Sequence, residues 1–335
     1  MQRNVNFGLW YDFRNPQKDI GFEQLYRESL DQIVWAESLG FNSVWLTEHH
    51  FVDDGYTPSP LVIAAAIGER TKTMRIGTNL VLLPLADPVR LAEDAATLSL
   101  LTGGRFDLGV GLGYRQLEFD YFGRKLSHRP SLMEEGIEIV RQAWSGESVT
   151  VRGKRYQVDD LKIRPQPESL PKILMGGMAP PAIERAASIG DGFLSTGGIG
   201  HDDYMAAVDR HGKTAAIFAG HWGIIAEDPD REAAEVGEYA LYQSNQYIAW
   251  GAFGPPDEVP LFENAEAALT GGLYELHDGE SAVAALCNLL EQYPAIKDIH
   301  FWAQLPGESI EHGSRRIEYM ANKVLPVVRS RLGIN

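Results

Sequence analysis

The chain has 335 residues, is 44% hydrophobic and carries a formal net charge of −16. Because nucleic acids and anionic membranes bind basic surfaces, this acidic balance argues against both as partners. Its one cysteine, Cys287, excludes a disulfide within the chain and fits a reducing cytoplasm. The longest apolar run, at 61–68, is far shorter than the roughly 20 residues of a membrane helix. The N-terminus also lacks the apolar segment of a signal peptide, so we expect a cytoplasmic protein.

Strand-like and helix-like segments alternate through the first half of the chain. Two of the helices begin with favourable pairs: Ser59 with Pro60, and Asp87 with Pro88, fit the N-cap and first helical positions. The predicted strands are 5–13, 41–48, 75–83 and 105–113, and the predicted helices are 22–39, 59–70, 88–101 and 130–144.

The alternation breaks once and then resumes. Residues 148–165 alternate in period two around Gly153, which predicts a small hairpin outside the main sheet. A mixed insertion occupies 228–285, and its part at 250–279, rich in Gly, Pro and aromatic residues, is the candidate lid. The later strands are predicted at 172–177, 192–196, 221–227 and 296–305, with helices near 181–189, 202–212 and 309–331.

Eight apolar strands separated by helices predict a parallel sheet that is covered on both faces. Eight such units favour a single (β/α)8 TIM barrel spanning residues 1–335, with the hairpin and the lid-like insertion added to it. An open doubly wound sheet is the alternative. In a barrel, active sites lie at the C-terminal ends of the strands, which directs attention to the residues found there.

Strand 41–48 ends in Glu48, His49 and His50. Neighbouring strand residues point to opposite faces, so this pair of histidines is poorly placed to chelate one metal ion, and we expect no metal site. A histidine titrates near neutrality and can take or return a proton during turnover. His49 is therefore the candidate proton-transfer residue, whereas a role in capping the strand end through backbone hydrogen bonds is the alternative for either histidine.

Two glycine-rich segments lie at strand ends. Gly109, Gly111 and Gly113 lie in the last part of the strand at 105–113, but Tyr114 stands where a dinucleotide-binding fingerprint needs its last glycine, so we reject a Rossmann-type site. The other segment, at 176–180, offers free backbone N–H groups before a helix, and Arg129 begins another helix. Together these groups suit a phosphate, although an ordinary turn and a surface arginine would give the same pattern.

The segments "FNSVWLTEHHF", "RIGTNLVLLPLADPVRLAED", "GGRFDLGVGLGYRQLEFDYFG", "SHRPSLMEE" and "GDGFLST", in this order, resemble the bacterial luciferase-like family of flavin-dependent monooxygenases. The resemblance covers nearly the whole chain. It implies a (β/α)8 barrel, commonly dimeric, that binds reduced FMN or the related deazaflavin coenzyme at its C-terminal face.

Residue by residue, the resemblance places the family's catalytic histidine at His49. It also implies a non-proline cis peptide at Asn79 and Leu80. The positions implied to contact the cofactor ring are Asn79, Leu80, Gly111, Leu112, Gly113 and Thr196, and those implied to hold its phosphate are Arg129, Gly176, Gly177, Met178 and the following residues to Pro180. The luciferase subunit has a cysteine and an arginine where this chain has Gly111 and Leu112, and hydroxyl side chains where it has Gly177 and Pro180. We therefore do not expect a light emitter.

The preferred hypothesis is a two-component monooxygenase. A separate flavin reductase supplies reduced FMN, and molecular oxygen forms a flavin C4a-hydroperoxide that oxidises a small, largely apolar substrate. His49 acts as acid or base, with Glu48 or a neighbouring backbone carbonyl fixing its tautomer, and the substrate lies against Trp10, Tyr11, His50 and Trp302. The alternatives are a deazaflavin-dependent hydride-transferring oxidoreductase and a flavin-binding barrel without catalysis. We expect a homodimer.

Overall fold

The computed structural model describes residues 4–334. Thirteen strands are found among these residues: β1 (Asn6–Tyr11), β2 (Ser43–Leu46), β3 (Arg75–Thr78), β4 (Val81–Leu82), β5 (Phe106–Gly111), β6 (Val149–Arg152), β7 (Gln157–Leu161), β8 (Ile173–Gly176), β9 (Gly192–Thr196), β10 (Ile217–His221), β11 (Gly223–Ile225), β12 (Glu275–His277) and β13 (Ile296–Trp302).

The same residues form twelve α-helices. These are α1 (Phe22–Ser38), α2 (Pro60–Arg70), α3 (Pro88–Thr102), α4 (Gln116–Tyr121), α5 (Arg129–Trp144), α6 (Pro180–Ile189), α7 (His201–Arg210), α8 (Pro229–Trp250), α9 (Ala265–Thr270), α10 (Gly279–Gln292), α11 (Ile310–Tyr319) and α12 (Leu325–Leu332). A π-helical segment, Met320–Val324, joins the last two. No helix of residues 4–334 combines the length and the apolar character that crossing a lipid bilayer requires.

Eight parallel strands close into a barrel. The order around the ring is β1, β2, β3, β5, β8, β9, β10 and β13, and β13 pairs with β1 to complete it. The β3–β5 pairing, with Ile76 opposite Phe106, is the contact that an open sheet would lack. The predicted (β/α)8 barrel is therefore confirmed, and the doubly wound alternative is wrong.

Local sequence signals account for several boundaries. The Asp87 carboxylate accepts hydrogen bonds from the N–H groups of Val89 and Arg90, at 2.9 and 3.0 Å, and so caps α3. Gly103 ends the same helix with a φ of 60°, a left-handed conformation that glycine adopts without steric cost. The predicted hairpin is confirmed as the antiparallel pair β6–β7, which lies outside the barrel.

The seventh barrel strand is earlier than the sequence pattern predicted. The strand expected at 221–227 is in fact β10, at Ile217–His221, and β11 pairs with β12 of the insertion instead. Both segments are apolar, and apolarity alone does not determine which of them pairs with β9 and β13. That choice depends on long-range contacts, which a local pattern does not contain.

Helix α8 covers the C-terminal mouth of the barrel, and we call it the roof helix. Its buried residues Val236, Ala240 and Tyr247 pack in one cluster with Trp10 and Trp302 from the barrel strands. The main core is a separate cluster between the barrel and its surrounding helices. The roof helix therefore forms one wall of any site at the mouth.

A buried ion cluster ties the roof helix to α11. Arg316 donates from Nη1 to Glu232 of the roof helix at 2.6 Å, and from Nη2 to Glu308 at 2.6 Å. The side chains of Arg316 and Glu308 are almost fully buried. The guanidinium compensates both carboxylates, so the cluster depends on it.

We expect Arg316→Met to lower the free energy of unfolding by about 3–5 kcal/mol, because two carboxylates then lack their cation in a poorly solvated setting. Urea unfolding followed by circular dichroism measures the change. The control is Arg231→Met, which removes an exposed pair with Glu235 and should cost at most about 1 kcal/mol. If the two substitutions lowered the free energy of unfolding equally, Arg316 would not be the cation on which the buried cluster depends.

Candidate active site

His49 is held in a fixed orientation at the end of β2. Its Nδ1 lies 2.9 Å from Glu118 Oε1, and its Nε2 lies 2.9 Å from the Tyr114 hydroxyl. The histidine ring is buried among the rings of Tyr56, Tyr114 and Trp250. The three groups form a continuous hydrogen-bonded chain, which we call the relay: Glu118, His49 and Tyr114.

Glu118 is placed by the short helix α4 and is fully buried. Its Oε1 accepts hydrogen bonds from His49, from the His50 N–H at 2.9 Å and from Arg115 Nη1 at 3.0 Å. Burial acts to raise the pKa of Glu118, but these donors outweigh it and hold the pKa below its ordinary value. Glu118 is therefore a carboxylate at neutral pH.

Burial lowers the pKa of His49, and the Glu118 carboxylate opposes that shift only in part. The ring is consequently neutral near pH 7. A carboxylate at Nδ1 assigns the ring proton to that nitrogen, which leaves Nε2 as an acceptor for the Tyr114 hydroxyl. Burial also raises the pKa of Tyr114 well above its usual value, so its hydroxyl keeps its proton.

Glu48 does not fix the tautomer of His49, contrary to the expectation. Its Oε1 lies 2.7 Å from His50 Nε2, and its Oε2 accepts the Leu82 N–H at 2.9 Å. His50 packs against Phe51 and Phe122 instead of the rings that surround His49. Both histidines lie just beyond the end of β2, and their side chains diverge so that each ring pairs with its own carboxylate.

Trp10 and Trp302 form part of an aromatic wall at the mouth. They are opposite each other on β1 and β13, and their rings stack with centroids 4.2 Å apart. Trp222 meets Trp302 edge to face at 5.6 Å and Tyr247 at 6.0 Å. This wall connects the two predicted pocket tryptophans with the rings around His49.

Tyr11 is not in the wall, which corrects its assignment to the substrate pocket. Its hydroxyl donates to Gln32 of α1 at 2.8 Å, and its ring packs against Phe13 in the core between barrel and helices. Alternation along β1 explains this: Trp10 faces the barrel interior, so its neighbour faces outward.

Asn79 and Leu80 are joined by a non-proline cis peptide, as the family resemblance implied. Asn79 Nδ2 lies 2.9 Å from His300 Nε2, and His300 Nδ1 lies 3.0 Å from Asp298. A Cβ added at Gly111 or at Gly176 would collide with the Leu80 side chain. The Leu80 side chain thus packs directly on two glycines, and the three residues form a continuous apolar surface.

The remaining predicted residues lie on the same barrel face. Gly113 turns the chain away from β5 with a φ of 71°, which requires glycine there, and Leu112 is half-buried between the two glycines. Since β5 pairs with β8, the segments 111–113 and 176–179 are neighbours. Thr196 ends β9 and is half-buried.

The segment before α6 has free hydrogen-bond donors. Within residues 4–334, the backbone N–H groups of Gly177, Met178 and Ala179 donate to no other backbone group, and α6 has no side-chain cap. Arg129, at the start of α5, lines a surface groove with Arg124 and Lys125 and has no ion pair in the described chain. These are the group types that bind phosphate.

The sequence pattern places Tyr114 at a strand end but gives it no role, and it does not indicate Arg115 or Glu118. All three follow β5, and the last two belong to the short helix α4 or its N-cap, which the pattern did not predict. The available signal was a carboxylate flanked by apolar residues in "YRQLEFDYFG", which is the pattern of an acid on the inner face of a short helix.

The family of luciferase-like monooxygenases matches residues 5–282, more than four fifths of the chain. The chain belongs to this family. One relative of this luciferase-like chain is a 4-hydroxyprotoasukamycin monooxygenase of Streptomyces nodosus subsp. asukaensis. It is 28% identical over 316 residues, which cover 88% of this chain and 82% of the relative.

Another relative is an F420-dependent glucose-6-phosphate dehydrogenase of Amycolatopsis mediterranei. It is 34% identical over 186 residues, which cover 53% of this chain and 56% of the dehydrogenase. The match to a further curated relative covers only 38% of that relative's length. This chain therefore spans about half the length of the dehydrogenase and less than half the length of the further relative. The crystal structure of the monooxygenase RslO1 from Streptomyces bottropensis has a TM-score of 0.81 at 24% identity. The superposition covers 96% of this chain and 99% of the RslO1 chain, which shows that the two proteins share the barrel fold.

We expect Glu118→Gln to lower the pKa of His49 further, because the carboxylate that raises this pKa is lost while burial remains. A pH titration of the histidine ring signals by NMR measures the shift. The matched control is Glu48→Gln, which should alter the His50 signals and leave those of His49 in place. An unchanged or raised pKa of His49 in Glu118→Gln would contradict the assignment of the relay.

Proposed function

We propose that the protein is a flavin-dependent monooxygenase of the two-component type. A separate reductase supplies reduced FMN, and the enzyme oxidises a small, largely apolar organic substrate with molecular oxygen. The observation that carries the proposal is the buried relay at the C-terminal end of a barrel strand, where catalysis occurs in TIM barrels. Membership of the luciferase-like monooxygenase family supports the oxygen chemistry.

The residues at the mouth suit a flavin. Leu80 packed on Gly111 and Gly176 offers an apolar surface against which a planar ring can lie. The free N–H groups before α6 and the unpaired Arg129 offer donors for a phosphate. The residues proposed to hold the ring are Asn79, Leu80, Gly111, Leu112, Gly113 and Thr196, and those proposed to hold the phosphate are Arg129, Gly176, Gly177 and Met178.

When bound, reduced flavin supplies the electrons that activate oxygen. The chain's own contribution is proton control and exclusion of water. His49 Nε2 is the acceptor that receives or returns a proton, and Glu118 stabilises the imidazolium formed when it does so. Tyr114 occupies Nε2 in this structure, so a substrate or product hydroxyl takes over that hydrogen bond during turnover. The aromatic wall and the roof helix keep the site dry.

A second candidate is hydride transfer with a deazaflavin coenzyme. It is supported by the 34% identity to an F420-dependent dehydrogenase over 186 residues. A neutral histidine between a carboxylate and a hydroxyl serves proton transfer in both reactions. The cofactor that binds in reduced form therefore distinguishes the two candidates.

Three further features belong to the proposal: a transient reductase partner, a homodimer and a cytoplasmic location. Light scattering of the purified protein measures the oligomeric state.

We expect His49→Asn to lower the turnover rate by about 10²- to 10⁴-fold, because proton transfer at Nε2 is lost. Turnover is measured as substrate-dependent oxygen consumption with photoreduced FMN, and cofactor binding is measured separately by fluorescence titration. The control is His50→Asn, which removes a ring paired with Glu48 outside the relay and should have a much smaller effect.

Three results would overturn the proposal. Equal activity of the two variants would remove His49 from catalysis. If the protein bound the reduced deazaflavin coenzyme F420 and not reduced FMN, and turned over without oxygen, the hydride-transfer reaction would be favoured. Tight binding of oxidised flavin with no turnover by any electron donor would indicate a binding barrel without catalysis.

A further inference from the structure

Arg14 is a buried cation next to the relay. It follows β1 by three residues, and its side chain has no exposed surface. Its Nε donates to Asp54 Oδ2 at 2.7 Å, and the Tyr242 hydroxyl donates to the same oxygen at 2.8 Å. This end of the guanidinium is therefore fully used.

The other end of Arg14 is not used. Its Nη1 and Nη2 atoms are buried and have no hydrogen-bond acceptor among residues 4–334. Three aromatic rings surround the guanidinium instead, with centroids at 5.1 Å for Tyr56, 5.1 Å for Tyr242 and 5.3 Å for Trp250. Contacts with ring faces stabilise a cation but do not satisfy its in-plane N–H donors. Buried charged donors without acceptors are costly, so an acceptor is expected to arrive with a ligand.

The aromatic wall has the same excess of donors. The indole N–H groups of Trp10, Trp222 and Trp302 are buried and have no partner in the described part of the chain. Trp222 contacts Tyr247, whose hydroxyl lies 2.9 Å from that of Tyr56, so the wall and the Arg14 site are continuous. A ligand that satisfies these groups has a planar body and at least one acceptor oxygen.

The unused donors favour an anionic oxygen, because hydrogen bonds between ionised partners are the stronger kind. Asp54 reaches Arg14 only at Nε. The Asp12 carboxylate also stabilises the Arg14 charge, but burial raises its pKa to about 7, so near neutrality a bound anion lies beside the neutral form of Asp12 for part of the time. Arg14 is also close enough to His49 to lower its pKa, and both residues contact Tyr56 and Trp250.

We propose that Arg14 binds the substrate through an ionised oxygen: the substrate is a planar phenol or enol, held as its anion by Nη1 and Nη2, with its ring against the tryptophan wall and its reacting carbon beside His49. Ionisation of the hydroxyl enriches the neighbouring ring carbons in electrons, and these are the carbons that an electrophilic oxygen donor attacks. This inference deepens the proposed function: that the bound molecule is a substrate rests on the proposed function, whereas its binding to Arg14 does not.

The test uses the full chain without flavin and 4-nitrophenol as the probe, because its ionised form is yellow and its neutral form is not. At a pH slightly below the probe's own pKa, wild type should bind 4-nitrophenol and increase the yellow absorbance. Arg14→Gln should weaken binding by about 10- to 100-fold and abolish the increase, since charge-assisted hydrogen bonds are lost. Arg14→Lys, which keeps the charge without the planar fork, should bind with intermediate affinity.

Two matched controls accompany the test. Arg14→Gln combined with Asp54→Asn removes the carboxylate that pairs with Arg14 Nε together with the cation, so it should be more stable than the single variant, and it should bind as weakly. Arg75→Gln removes a half-buried ion pair with Asp107 at the other end of the barrel and should leave probe binding unchanged. Circular dichroism checks the fold of each variant.

The proposal is overturned if wild type does not bind 4-nitrophenol, if the Arg14 variants bind it as wild type does, or if 4-nitroanisole, which cannot ionise, binds equally well. Arg14-dependent binding of 4-nitrobenzoate without binding of 4-nitrophenol would assign the site to carboxylates and overturn the phenolate assignment. Because no flavin is present, this outcome is independent of the turnover experiment. Failure of oxygen consumption alone would reject the monooxygenase reaction and leave the Arg14 site standing.

Discussion

The site depends on one interaction, the hydrogen bond between the Glu118 carboxylate and His49 Nδ1. Burying a carboxylate is unfavourable unless donors converge on it. Here His49 Nδ1, the His50 backbone N–H and Arg115 Nη1 all donate to one oxygen of Glu118. That convergence fixes the tautomer of His49, and the tautomer determines that Nε2 faces the site as an acceptor. The positions of α4 and of the β2 end are therefore coupled through a single atom.

Much of the barrel could be predicted from the sequence, because its signals are local. Apolar strands, Asp87 with Pro88 at a helix start, and the period-two hairpin each act within a few residues. The seventh strand was misplaced because two neighbouring apolar segments compete for the same ring position. Only the pairing of 217–221 with β9 and β13 decides between them.

The site was predicted less completely, for a physical reason. Alternation along β1 directs Trp10 into the barrel and Tyr11 outward, so the same rule that was applied to the two histidines excludes Tyr11 from the pocket. The partners of His49 are 65 and 69 positions away along the chain. No spacing rule links residues at that distance, so Glu48, the nearest acid in sequence, was chosen in place of Glu118.

The roof helix has a consequence for how such a protein changes over time. It belongs to an insertion between two barrel strands, yet it supplies Tyr247 and Trp250 to the chamber around His49. In the proposed function, the groups that handle the proton come from the β2 and β5 ends, whereas the insertion supplies much of the aromatic surface offered to a substrate. On that proposal, substrate preference can diverge through mutations in the roof helix while the proton chemistry is inherited intact, and exchanging this segment between related barrels is a direct route to altered selectivity.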